Sequence, residues 1–292
     1  MSPDNALGCD IAVVGLGISG AHHLTREVEE TIRRCTKLFV TDTGSGLLDY
    51  VADLGPEVVD LSAAAETVEH RVVAYRRMAA EVVSAALEQP PVCFATYGHP
   101  TMYCYPTTLI ERAALVLDLK VRVLPGVSFL DTLLSDLRLD PGFDGLQLYE
   151  ATDLLVRRRP LQPDVSAVIT QAPMVANAYN RPADRRLDHL QLLQHYLEET
   201  YPTTHEIVVV TSAPHPLLEP EMNVVPLGSL AAALLAATQL CTLYIPPVSH
   251  RPVADEALAA VMQVAPPGEA EAETQPAARP GRPDIGPRPD AS

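Results

Sequence analysis

The sequence predicts an α/β protein made of two domains, and three observations carry that expectation. Over the first 125 residues, short β-branched apolar runs alternate with longer stretches of helical periodicity, the pattern of a mainly parallel sheet flanked by helices. A second series of the same kind runs on to about residue 263. The chain has 292 residues, 47% of them hydrophobic, which is enough apolar material for two cores. The expected organisation is an N-terminal α/β domain over 1–124, a C-terminal α/β domain over 125–264, and a proline-rich tail over 265–292.

The first element is the strand IAVVGLG, an apolar run that ends in glycines. A helix through REVEETIRRC follows, then the strand LFVTD, then a long helix near 66–88. The strand PVCFATYG, a helix through TTLIERAALVLDL and the strand VRVLPG complete the first series. In the second, VSAVITQAP, EIVVVTSAP and CTLYIPP read as strands, separated by helices through RRLDHLQLLQHYLEETYP and LGSLAAALLAAT. A short helix, VADEALAAVMQ, comes last. Ligands of such sheets gather at the carboxyl ends of strands, here GLGISG, VTDTG, TYGHP and LPGVS; TQAP, TSAP and YIPP are expected to face the same cleft.

After residue 264 the chain changes character: the last 28 residues hold seven prolines and a single isoleucine as their only large apolar side chain. Such a stretch cannot bury enough surface to offset its ordering entropy, so it is expected to be disordered.

Charge and cysteine usage exclude several classes of function. A formal charge of −16 and an isoelectric point near 4.9 argue against wholesale phosphate binding, because nucleic-acid binders need a basic face. No apolar run reaches the ~20 residues of a membrane helix, and the N-terminus lacks the pattern of a signal peptide, so a cytoplasmic protein is expected, with neither a membrane nor a nucleic acid as partner. The five cysteines are scattered through apolar runs without ligand spacing, which predicts buried thiols and no metal site.

The stretch VVGLGISG carries glycines at Gly15, Gly17 and Gly20, and a second apolar run ends at Asp42, about 20 residues on. That is the spacing of a dinucleotide-binding turn with its ribose carboxylate. A plain tight strand-to-helix turn needs the same glycines. The paired His22 and His23 that follow read as a solvated helix start.

TYGHP, LPGVS, YEATDLL, VITQ and LYIPP occur in that order, after VVGLGISG. With it they resemble the tetrapyrrole-methylase superfamily of S-adenosylmethionine-dependent methyltransferases and, within it, the borosin peptide α-N-methyltransferases. The resemblance covers roughly residues 9–263. It implies the class III methyltransferase fold, with two α/β domains and a cofactor cleft between them. In that superfamily the glycine-rich turn lies at the cleft mouth, and S-adenosylmethionine has no pyrophosphate to bind, so the dinucleotide reading gives way.

The resemblance also implies that Tyr97, His99, Met102, Ser128, Phe129, Gln171, Ser212, Ala213, Cys241 and Thr242 line the S-adenosylmethionine site. Met102 and Phe129 would equally suit plain core packing, and Gln171 could satisfy backbone at a strand end.

For the methyl acceptor, a backbone amide nitrogen is a poor nucleophile because resonance commits its lone pair to the carbonyl. Methylating it requires removal of the proton and stabilisation of the charge that moves onto oxygen. A phenolate with a fixed cation beside it can do the first, and an arginine can do the second. In EHRVVAYRR, Arg71 and Tyr75 are four residues apart on one helical face. Spacing alone fits a solvated helix as well. The resemblance implies Tyr75 as general base, Arg71 as stabiliser of imidate and phenolate, and Tyr97 as the hydroxyl that positions the amide.

One departure stands against the family pattern: tyrosines of the loop ahead of this helix are replaced by Ala63, Ala64 and Ala65. The proline-rich tail is a poor acceptor, since proline within a chain has no N–H to replace. The expected substrate is therefore a separate precursor peptide acting in trans, and the expected assembly a homodimer. Two rival readings keep the fold: a tetrapyrrole or other small-molecule methylase, and a partner-binding relative without turnover.

Overall fold

The computed structural model describes residues 7–41, 47–62, 70–179 and 181–262. Asp42, Ala63 to Ala65 and the tail beyond 262 lie outside the described residues, and with them the expectations placed there. By internal contacts the chain forms two compact units. The first comprises Met1–Leu139 with Asn177–Asp184 and Ser212–Pro220; the second comprises Asp140–Ala176, Arg185–Thr211 and Glu221–Ser292. Relative to the expected 1–124 and 125–264, the first unit takes in 125–139 and two returning segments. The helix after the fifth strand packs with it, and Ser212 and Ala213 are hydrogen-bonded to it.

The first unit is a five-stranded sheet of β1 (Ile11–Gly15), β2 (Lys37–Thr41), β3 (Glu57–Asp60), β4 (Val92–Thr96) and β5 (Val121–Leu124), ordered β3-β2-β4-β1-β5, with every pairing parallel. Its helices are α1 (Arg26–Arg33), α2 (Leu47–Ala52), α3 (Arg71–Glu88), α4 (Tyr105–Val116) and α5 (Phe129–Leu137). The central strands β1 and β4 are buried at every residue, which is why they read as continuous apolar runs.

Alternation along the strands divides the core in two. Ala12, Val14, Leu38, Val40, Cys93 and Ala95 pack with Val28 and Ile32 of α1. Ile11, Val13, Phe39, Val92 and Phe94 pack with Met78 and Val82 of α3. Burying one such side chain contributes about 1.5–3 kcal/mol before entropy is counted. The register pairs Gly15 and Thr41 with Thr96, so three strand ends finish in one row.

The second unit holds β6 (Leu146–Glu150), β7 (Ser166–Thr170), β8 (Glu206–Thr211), β9 (Glu221–Pro226) and β10 (Thr242–Ile245), ordered β6-β7-β10-β8-β9. Its helices are α6 (Pro141–Asp144), α7 (Ala151–Arg157), α8 (Leu187–Glu198), α9 (Leu230–Ala236) and α10 (Glu256–Met262). Only β6 and β7 pair in parallel; β10 runs antiparallel to both β7 and β8. This corrects the expectation that TQAP, TSAP and YIPP share one edge. The end of β10 at YIPP lies opposite the other two, and its beginning, Cys241 and Thr242, lies on their edge instead.

The alternation missed β3, β6 and β9. All three are edge strands whose partly exposed, mixed sequences (EVVD, LQLYE, EMNVVP) carry little apolar signal.

Candidate active site

The glycine turn after β1 spends its amides internally. Leu16 N–H donates to the Thr96 carbonyl at 2.9 Å, and Gly17 and Gly98 exchange backbone hydrogen bonds at 3.2 and 2.9 Å. The amides of Ile18 and Ser19 both donate to Nδ1 of His23, each at 3.2 Å. The amides of residues 16 to 19 are thus all taken by partners within the protein, where a dinucleotide turn would aim such groups at its phosphates. Gly17 and Gly20 adopt φ of +77° and +59°, conformations that favour glycine.

His23 is therefore not the solvated residue expected from the sequence. Burial, and then the neighbouring His22, push its pKa down against the opposing pull of Asp131. The neutral ring is thereby kept as the acceptor on which the turn is built.

Beside this turn, the segment after β4 brings Tyr97, His99 and Met102 to the carboxyl edge of the first sheet. Burial pushes the Tyr97 hydroxyl up to about 12, so it stays protonated and can donate. His99 Nδ1 accepts from Thr101 N–H at 3.2 Å, which sets the ring within its loop. Thr107 Oγ1 donates to the Pro100 carbonyl at 2.6 Å and ties the loop to α4.

The segment after β5 delivers Ser128 and Phe129. Ser128 caps α5: its Oγ accepts from Asp131 N–H, while the Asp131 carboxylate accepts from Ser128 N–H and Oγ, both at 2.6 Å. Burial works against the Asp131 charge, but these bonds outweigh it and hold the carboxyl below its ordinary range. Phe129 packs against Tyr103, with ring centroids 6.2 Å apart. Ser212 Oγ lies 2.8 Å from Thr132 Oγ1 and donates to Asp136 at 3.2 Å, and Ser19 Oγ donates to the Ala213 carbonyl at 2.8 Å. The first unit thus gathers Tyr97, His99, Met102, Ser128, Phe129, Ser212 and Ala213.

Gln171, Cys241 and Thr242 belong to the second unit. There β7 and β10 are neighbours, so Gln171, just past β7 in a left-handed conformation (φ 53°), and Thr242, at the start of β10, share a sheet edge. Burial pushes the Cys241 thiol up to about 12 against Arg185.

Arg71 opens α3 and Tyr75 follows one turn later. His70 caps the helix, its Nδ1 accepting from Val72 N–H at 3.3 Å, and Arg71 N–H donates to the Ala178 carbonyl at 2.9 Å. The Tyr75 ring meets Tyr105 edge-on at 6.4 Å. Burial raises the Tyr75 pKa, Arg71 lowers it, Cys104 raises it, and the net direction is up. Arg71 acts in the direction a base requires, but burial wins. Cys104 in turn donates to Thr96 Oγ1 at 3.7 Å, which ties the surroundings of Tyr75 to the end of β4.

Sequence reasoning passed over Ser19, Asp131, Thr132 and Asp136, which bind the site together. Only the Ser128–Asp131 pair had a readable signal, the capping-box spacing in VSFLD. The residues of the first unit that the resemblance assigns to the cofactor are hydroxyl, apolar and imidazole groups with no Lys or Arg among them. That donor set suits S-adenosylmethionine, with its ribose hydroxyls and cationic sulfonium, better than a polyphosphate. Among the described residues no group of three or more His, Cys, Asp or Glu is placed to hold a metal, and no helix is long and apolar enough to cross a membrane.

The family described as Tetrapyrrole (Corrin/Porphyrin) Methylases matches residues 10–214. A methyltransferase/ribosomally synthesized type I borosin cyclic peptide precursor of Serendipita vermifera subsp. bescii is 29% identical over 242 residues, 81% of this chain and 58% of that protein. The methyltransferase/ribosomally synthesized cyclic peptide omphalotin A precursor of Omphalotus olearius is 26% identical over 243 residues, 82% of this chain and 58% of that one. The chain thus spans less than two thirds of the length of these curated relatives. Among solved structures, the methyltransferase CobJ superposes with a TM-score of 0.61 at 17% identity, covering 83% of this chain and 96% of its own. Uroporphyrin-III-C-methyltransferase from Thermus thermophilus gives 0.57 at 16% identity, covering 81% and 91%.

Proposed function

This chain belongs to the tetrapyrrole (corrin/porphyrin) methylases, and we propose that it is an S-adenosylmethionine-dependent enzyme that N-methylates backbone amides of a separate precursor peptide. The observation that carries this reading is the pair Arg71 and Tyr75 on the first turns of α3, with Tyr75 half-buried against Tyr105 beside the end of β4. The names of the relatives, each a methyltransferase fused to a peptide precursor, support a peptide acceptor, though not one on a separate chain.

S-adenosylmethionine supplies an electrophilic methyl group and leaves as S-adenosylhomocysteine. Tyr97, His99, Met102, Ser128, Phe129, Ser212 and Ala213 are proposed to hold it, and Gln171, Cys241 and Thr242 stand as further contacts on the resemblance. Tyr97, protonated, donates to the acceptor amide and positions it. Tyr75, in its ionised form, takes the amide proton on Oη and ends as the neutral phenol while the nitrogen acquires its new bond to carbon, and Arg71 stabilises the charge that develops on the amide oxygen. Burial makes that ionisation costly and Arg71 eases it, so the reactive form is a minority at neutral pH and a stronger base once formed.

A separate peptide is proposed as the acceptor, since the prolines of residues 265–292 have no N–H to replace. A cytoplasmic homodimer is proposed as the working form. The test is intact-mass spectrometry of short proteins encoded beside this chain's gene, each coexpressed with it. Mass gains in steps of one methyl, located by fragmentation on backbone amides, are expected. Cofactor binding without any gain would favour the second reading, a methylase of a tetrapyrrole or other small molecule, which rests on the family itself and on the CobJ-like fold.

A further inference from the structure

The segment Asn177–Asp184 belongs to the first unit although it follows β7 in sequence. It sits against the start of α3: the Ala178 carbonyl accepts the Arg71 N–H at 2.9 Å, and the next residue, Tyr179, places its ring 6.5 Å from that of His70. The buried Asn177 accepts from Tyr179 N–H through Oδ1 at 2.9 Å and donates to the Arg181 carbonyl through Nδ2 at 3.3 Å. Arg181 in turn lies 5.8 Å over the Tyr179 ring and is ion-paired with Asp184 at 2.7 Å.

Tyr179, with His70 and Arg181 beside its ring, keeps 41% of its surface exposed. Tyr105, whose ring packs on Tyr75, is 37% exposed. Each member of the Arg71–Tyr75 pair thus has an exposed aromatic residue nearby: Tyr105 packs against Tyr75, and Tyr179 follows the residue that receives the Arg71 N–H. Pre-positioned aromatic rings offer a large contact area at low entropic cost, and their apolar faces suit aliphatic side chains.

We propose that Tyr179 is a substrate-positioning residue, packing against an apolar side chain of the acceptor peptide and so holding its backbone amide at Arg71 and Tyr75. This rests on the peptide reading given above.

The test uses the full chain and, as probe, the neighbouring short protein that gains methyl mass on coexpression. Methylation kinetics are followed by mass spectrometry, and S-adenosylhomocysteine affinity is measured by calorimetry. Tyr179→Ala is expected to raise KM for the peptide about tenfold while kcat stays within about twofold. S-adenosylhomocysteine affinity is expected to be unchanged, and Tyr179→Phe, which keeps the ring, to recover most of the lost affinity. An unmoved KM in Tyr179→Ala overturns the inference and leaves the peptide reading standing. Equal losses of peptide and cofactor binding would mark Tyr179 as a structural support for α3 and also overturn it. If the wild-type chain binds cofactor but methylates none of the short proteins, the peptide reading fails and takes this inference with it.

Discussion

The carbonyl oxygen of Gly98 lies 2.5 Å from where a β-carbon on Gly15 would stand, and a β-carbon on Gly126 would meet that same oxygen at 2.5 Å. Three chain segments, leaving β1, β4 and β5, thus converge with no room for a single methyl group. The atoms in the way are backbone and cannot swing aside as a side chain would.

Gly15→Ala must therefore spread the strand ends. A loss of about 1–3 kcal/mol is expected, the usual cost of overpacking, together with weaker cofactor binding. Urea denaturation and calorimetry with S-adenosylhomocysteine measure the two effects. An alanine variant as stable as the parent would show that the strand ends yield more easily than this packing implies.

Tyr75→Phe removes only the oxygen assigned as base. Turnover is expected to fall by about 10²–10⁴, the usual contribution of general acid–base catalysis. S-adenosylhomocysteine affinity should barely change. Undiminished methyl transfer, read by mass spectrometry under single-turnover conditions, would remove the base role.

Because burial outweighs Arg71 at Tyr75, the methylation rate is expected to rise with pH and to keep rising beyond the ordinary tyrosine range near 10. Arg71→Met removes the one lowering influence and should move the rise to still higher pH. A rate that levels off near pH 7 would point to a different base.

Stability should fall in alkali. Tyr97 and Tyr201 are both raised to about 12 by burial, so below pH 10 each is protonated in the folded and unfolded chain alike. Between about 10 and 12 the unfolded chain ionises while the folded one resists, and stability is lost as pH climbs through that window. At the acid end, the lowered His23 acts in the opposite sense: its contribution is present above about 6.5 and is lost as pH falls. Melting temperatures from pH 5 to 11 test both limbs, and His23→Gln should flatten the acid one.

Ser128→Ala deletes the α5 cap and one of the two Ser128 bonds to Asp131. The expected cost is about 1 kcal/mol in urea denaturation, with Asp131 shifted back toward its ordinary pKa. No change in stability would mean that the Ser128 backbone N–H alone suffices to hold that carboxylate.

The sequence by itself determined the parallel sheet of the first unit, because strands buried on both faces must be apolar throughout, as IAVVG and VCFAT are. It also determined the family, through short motifs in fixed order, and the Arg71–Tyr75 pair, because helical spacing alone puts both on one face. Only the tertiary structure decided the rest. The antiparallel course of β10 turned YIPP away from the edge it was expected to share, since strand direction depends on partners and not on local composition. The net direction of the Tyr75 pKa depended on how deeply the ring is packed, and the role of His23 on two amides that fold back onto its Nδ1. Segments 177–184 and 212–220 joined the first unit through contacts between residues far apart in the chain, which no local pattern of residues encodes.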